Sequence, residues 1–119
     1  MVKNNNLIQD KTFNFSLMII ELYKKLVAKK EFIISKQLLR SSTSIGANVE
    51  EALAGQTKKD FIAKMSIASK ESRETYYWLR LLKESNLVNL SYEEYLSEIN
   101  EIINILTAIV KTSQSRINL

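Results

Sequence analysis

Ser44-Ile45-Gly46-Ala47-Asn48-Val49-Glu50-Glu51 and, about twenty residues on, Lys70-Glu71-Ser72-Arg73-Glu74-Thr75-Tyr76-Tyr77-Trp78-Leu79 both read as helix. Each sets polar residues at helical spacing beside a narrow apolar stripe. Polar groups next to a core are unfavourable unless they find partners. Two such seams on neighbouring helices therefore point to a specified assembly rather than a generic bundle.

Working outward, the stripe on the second segment continues as Phe61, Met65, Ala68, Ser72, Thr75, Leu79 and Leu82. That 4-3-4-3 rhythm is the period of a left-handed helical bundle. Leu38, Ser42, Ile45, Val49 and Ala52 repeat it with smaller side chains, which let helix axes approach closely. Further on, Ile99, Ile102, Leu106 and Ile109 lead, with Ile103 and Val110 beside them. The chain has no proline and only two glycines, Gly46 and Gly55, so it lacks the turn residues that strand proteins need at short intervals. The expected fold is all-α, one domain over residues 1–119, with helices at about 13–30, 36–54, 58–84 and 92–112. Thr12 is the expected N-cap of the first helix, Ser35 precedes the second and Gly55 closes it. Thr57 with Asp60, and Ser91 with Glu94, have capping-box spacing at the starts of the third and fourth. Four long helices with short connections imply an antiparallel up-down-up-down four-helix bundle.

The first helix is apolar around more than half of its circumference, with Leu17, Met18, Ile19, Ile20, Leu22, Leu26 and Val27. Such a helix needs burial on more than one side, so the expectation is a homo-oligomer with this helix at or near the subunit contact. The alternative is that Leu17, Ile20 and Val27 are ordinary exposed apolar residues.

Composition narrows the function. Cysteine and histidine are both absent, which removes disulfides and thiol chemistry and fits a reducing cytoplasm. No signal peptide is expected at the N-terminus, and no apolar run reaches the roughly 20 residues that span a bilayer. Ser44 has no histidine to act as its base, and Lys36 lies about two turns away, so the reading is non-enzymatic. A bundle carboxylate–metal site needs Glu-x-x-His pairs, and no glycine-rich phosphate loop is present, so no metal or cofactor is expected. The net charge of +4 is unevenly placed. Residues 1–34 and 57–84 each carry an excess of three positive charges, and residues 85–119 an excess of two negative ones. This suits head-to-tail contact between copies or a surface for a polyanion, and is equally the pattern of ordinary solvated helix faces.

Two groups of candidate residues follow. On the third helix Lys59, Lys70, Arg73, Tyr77 and Arg80 lie roughly opposite the core stripe. Spaced cations with an interleaved aromatic can track a phosphate backbone and stack a base. First-helix Lys24, Lys25, Lys29 and Lys30 could add to that surface. The structural seam comprises Arg40, Ser44, Asn48 and Glu51 along one flank of the second helix, with Gln37 and Ser41. Ser and Asn are poor helix formers, so their clustering suggests register-fixing hydrogen bonds or reception of a neighbouring subunit. Arg40 and Glu51 are candidate charged partners of the third helix or of another protomer. Ile67 and Trp78 share a flank of the third helix with Asp60, Glu71 and Glu74, and a tryptophan among charges on a lateral face is a candidate interface anchor.

With these residues in view, the chain resembles the bacterial four-helix proteins of the 23S rRNA intervening sequence, or S23, family. The resemblance rests on residues 38–51, on Lys59-Asp60-Phe61-Ile62 and on residues 70–82, and spans about residues 12 to 112. Many relatives carry Glu-Gly at Glu51-Ala52 and Gly-Ser at Lys70-Glu71, which places this chain in the sub-branch with Lys-Glu and Tyr-Trp. The resemblance implies a ring-shaped homopentamer without established enzymatic activity. Some relatives are encoded within 23S rRNA genes. Related retroelement accessory proteins partner a reverse transcriptase and nucleic acid. The expectation is a non-enzymatic, cytoplasmic, oligomeric protein that binds RNA or DNA through a basic surface, or alternatively a scaffold ring that binds another protein. No membrane association is expected.

Overall fold

A computed structural model describes residues 3–117, with side chains described from Leu7 to Arg116. Four helices account for nearly all of it: α1 (Lys3–Ala28), α2 (Ile34–Ala54), α3 (Lys58–Ser85) and α4 (Glu93–Ile117). They form a four-helix bundle about 50 × 22 × 22 Å. No strand occurs among the described residues. None of the described helices is long and apolar enough to cross a membrane.

Each helix packs on the next, and α4 meets α1 along the least extensive of the four seams. Among the described residues α1 and α3 make no close backbone approach and stand diagonally across the bundle. Gln9 reaches Glu50, and a Cβ on Gly46 would sit 3.5 Å from the Thr12 carbonyl oxygen. Ser41 meets Thr75, and Glu51 meets Lys64. Arg73 meets Thr107 and Lys83 meets Glu93. Lys11 bridges α1 to α4 through Glu98 at 2.9 Å and Glu101 at 3.0 Å.

The core forms along the stripes read from the sequence. Leu38, Ile45, Val49 and Ala52 of α2, Met65, Ala68, Leu79 and Leu82 of α3, and Ile99, Ile102 and Leu106 of α4 are buried. Ile8, Phe15, Ile19, Leu22 and Leu26 complete it from α1. Phe61 and Ile109 are only half-buried at the edge of this core. The polar stripe members Ser42, Ser72 and Thr75 are fully buried and bond to backbone carbonyls of their own helices. No buried side-chain nitrogen or oxygen among the described residues lacks a partner. That is the condition under which polar atoms in a core are tolerated.

The helix ends depart from expectation in instructive ways. α1 starts at Lys3, so Thr12 is not its N-cap. Thr12 lies mid-helix and buried, its hydroxyl donating back to the Ile8 carbonyl at 2.8 Å. α1 closes with Lys30 in the left-handed region at φ 66°. There the Lys30 and Glu31 amides return to the carbonyls of Val27 and Leu26, a Schellman-type ending. α2 begins at Ile34, one residue before Ser35, because the buried Glu31 carboxylate supplies the cap. It accepts from the amides of Ile33, Ile34 and Ser35. Burial pushes the Glu31 carboxyl pKa up, but the bonds from Ile34, Ser35 and Ile33 more than offset this and the net value is lowered. Gly55 does close α2, at φ −63°, so the left-handed region is not its reason. A Cβ there would lie 3.1 Å from the Ala52 carbonyl oxygen and 3.3 Å from the Asp60 Cβ, and this crowding favours glycine. Thr57 caps α3 as read, accepting from the Asp60 amide at 3.0 Å. α4 runs past the expected Thr112 to Ile117, since no glycine or proline interrupts residues 112–117.

Candidate nucleic-acid interface

α3 is long enough, at 28 residues, to carry two distinct polar surfaces beside its core stripe. At about 100° per residue, Lys59, Lys70, Arg73, Tyr77 and Arg80 fall within a narrow sector facing away from the core. All five are exposed. Lys59 and Arg80 are separated by about 31 Å of helix, at about 1.5 Å per residue. Arg73 is steadied by a hydrogen bond from Nη2 to the Thr107 hydroxyl on α4, 3.2 Å long. Among the described residues none of Lys59, Lys70, Arg73 or Arg80 forms an ion pair. Tyr77 is 56% exposed, and its ring meets Trp78 edge-on at 5.1 Å between centroids. More than half of Tyr77 is thus exposed, in the same stripe as Arg73 and Arg80. Such an arrangement can neutralise phosphates and offer a stacking surface.

The first-helix cations do not extend this stripe. Lys24 is paired with Glu21 at 3.0 Å, and Lys25 is exposed. Both stand on α1, diagonally across the bundle from α3. The residues read together from the sequence thus lie on two separate edges of the bundle.

The flank of α3 toward α2 is occupied within the chain. Arg40 donates to Glu71 at 3.3 Å and also pairs with Glu74. Its Nε reaches the Gln37 side-chain oxygen at 3.4 Å. Trp78 Nε1 donates to the same Glu74 carboxylate at 2.9 Å. That indole bond, and then Arg40, hold the Glu74 carboxyl below its ordinary range, while Glu74 raises the Arg40 guanidinium. Beneath this cluster the Ser41 and Thr75 hydroxyls meet at 2.9 Å, a buried link that joins one seam residue to the α3 core stripe. Glu51 pairs with Lys64 at 2.8 Å. Ser44 and Asn48 bond to each other, with Asn48 Nδ2 also donating to the Ser44 carbonyl, and neither reaches α3. Arg40 and Glu51 thus find charged partners on the third helix, one of the two alternatives read for them, and Glu71 joins Glu74 as a partner of Arg40. Lys64 was not singled out in the sequence, although its signal was available in the opposite charge of Glu51 on the facing helix.

Nothing among the described residues gathers histidine, cysteine or carboxylates into a metal-binding group.

Comparison with known proteins is consistent along nearly the whole chain. The family model described as the 23S rRNA-intervening sequence protein matches residues 4–108. A crystal structure of a protein of unknown function from the S23 ribosomal protein family of Bacteroides thetaiotaomicron VPI-5482 superposes with a TM-score of 0.85. It shares 45% sequence identity, over 91% of this chain and 98% of that one. A search among curated proteins finds no match.

Proposed function

Because the chain belongs to the 23S rRNA-intervening sequence protein family, we propose that it is a non-enzymatic, oligomeric helical protein that binds RNA or another nucleic acid through the outward stripe of α3. The observation that carries this reading is the line of Lys59, Lys70, Arg73 and Arg80 with exposed Tyr77 and without ion-pair partners among the described residues. Cations kept free of carboxylates are available to displace counterions from a phosphate backbone.

The same proposal includes the architecture. The paired contacts along successive helices, such as Gln9 with Glu50, Ser41 with Thr75 and Arg73 with Thr107, support an up-down-up-down antiparallel course. Assembly is supported by Phe13 and Leu17, 61% and 49% exposed on α1. Apolar side chains of this size in water favour a partner surface. A ring of five copies is what the family resemblance implies, and a cytoplasmic location belongs to the same reading. A non-enzymatic role is supported by Ser44, whose hydroxyl accepts from Asn48 Nδ2 and forms no hydrogen bond with a base among the described residues.

A second reading, a scaffold ring that captures another protein, draws on the α3 flank that carries Ile67, 39% exposed, and, about three turns further on, the half-buried Trp78. Under it Trp78→Ala disrupts assembly or partner capture and leaves nucleic-acid affinity intact.

Fluorescence anisotropy with a labelled RNA hairpin, across a salt series, tests the leading reading. Binding should weaken steeply with salt. An affinity indifferent to salt, or no binding at low salt, would refute it.

A further inference from the structure

At the end of the bundle where α3 begins and α4 finishes, a cavity of about 650 Å³ lies between the α2–α3 connection, the first turn of α3 and the last turns of α4, with Leu7 lining it from α1. This is within the usual volume range of small-molecule sites. Its floor is apolar: Leu7 of α1, Phe61 of α3, and Ile105 and Ile109 of α4. Leu7 is 54% exposed, and the other three are only half-buried, so the bundle itself leaves this apolar surface incompletely covered. The charged lining residues are Lys58, from the first turn of α3, and Arg116, from the last turn of α4. Neither forms an ion pair among the described residues, and no aspartate or glutamate lines the cavity.

We propose that this cavity binds an amphipathic anion, a carboxylate carrying a hydrocarbon body, with its tail over Phe61, Ile105 and Ile109 and its head between Lys58 and Arg116. The complementarity is twofold. An apolar tail removes the exposed floor from water. A carboxylate meets two cations that form no ion pair among the described residues, and guanidinium offers it paired donors. A cationic amphiphile of the same length would meet like charge at the rim. The site is distinct from the α3 stripe, so its presence does not depend on nucleic-acid binding.

Isothermal titration calorimetry on the full chain, without nucleic acid, tests this with decanoate against decyltrimethylammonium below their micellar concentrations. Decanoate should bind and the cation should not. Lys58→Gln with Arg116→Gln should weaken decanoate about tenfold or more. Ala108→Phe, at an exposed position on the cavity wall, should abolish binding without unfolding the chain, checked by circular dichroism. Absence of decanoate binding, equal binding of both head groups, or indifference to Ala108→Phe would overturn the proposal. So would a fall in solution mass on Ala108→Phe in a protein that ignores decanoate, because a second copy would then be what covers the cavity.

Discussion

Along the flank of α3 that faces α2, Glu71, Glu74, Thr75 and Trp78 all have partners inside the chain. Along the outward stripe of the same helix, Lys59, Lys70 and Arg80 reach no carboxylate among the described residues. Both surfaces are polar, both recur at helical spacing, and both looked functional in the sequence. The difference teaches that periodic polarity carries two meanings. Where partners are fixed, the residues hold two helices in register. Where partners are missing, charge is available to something outside the chain.

The sharpest way to break this distinction is to remove the free charges. Replacing Lys59, Lys70 and Arg80 together by glutamine should lower RNA affinity at low salt roughly a hundredfold and flatten the salt dependence by about three units of log–log slope. Thermal unfolding should change by no more than about 0.5 kcal/mol per site, since exposed charges without partners contribute little. Equal affinity for variant and wild type in anisotropy titrations would show that the stripe is only a solvated face.

Changes on the partnered flank should do the reverse. Thr75→Leu replaces a fully buried hydroxyl, bonded to Ser41 and to the Glu71 carbonyl, with a bulkier apolar group. Overpacking and the loss of the Ser41 link should destabilise the fold by roughly 2 kcal/mol in urea unfolding. Intrinsic RNA affinity of the folded fraction should stay within about twofold, because no stripe cation is lost.

Glu31→Gln should come next, at about 1 kcal/mol, because the neutral amide is a weaker cap for Ile33, Ile34 and Ser35. The carboxyl pKa is lowered in the fold relative to its ordinary value of 4.5. Its stabilisation is therefore fully present above that value and is lost as pH falls through the lower folded-state value. Urea midpoints measured from neutral to acidic pH should fall less steeply for Glu31→Gln than for the wild type. Parallel curves would remove Glu31 from the account.

The smallest effect should come from Arg40→Gln. Its pairs with Glu71 and Glu74 lie at the surface, and the arginine side chain is half exposed. Such pairs contribute about 0.5 kcal/mol. Trp78 loses the guanidinium behind its Glu74 acceptor, so a small shift in tryptophan emission should accompany the change. A loss well beyond 1 kcal/mol would mean that this flank also carries an interface between copies.

Most of the architecture was legible because helix periodicity depends on local spacing. The stripes of α2, α3 and α4 sit where their rhythm put them, and Thr57 is a cap in the structure as in the sequence. What was not legible depended on contacts between distant residues. Thr12 looks like a cap until the close approach of Gly46 and the back-bond to Ile8 are seen. Glu31 gives no cap signature by residue type, since its role comes from the left-handed Lys30 that turns the chain back. The separation of Lys24 and Lys25 from the α3 stripe needed the packing order, which no one-dimensional pattern contains. In the candidate site, the membership of the stripe was readable, and so was a charged role for Arg40 and Glu51, whereas the stripe's lack of ion pairs among the described residues and the choice of the third helix over another protomer required the neighbouring helix.

Light scattering on a size-exclusion column, with and without RNA at low and high salt, tests the central claim most directly. The account predicts an oligomer whose mass rises with RNA at low salt only, and a Lys59, Lys70 and Arg80 glutamine variant of the same oligomeric mass that shows no rise. A monomer, or an oligomer whose mass ignores RNA at every salt concentration, would contradict it.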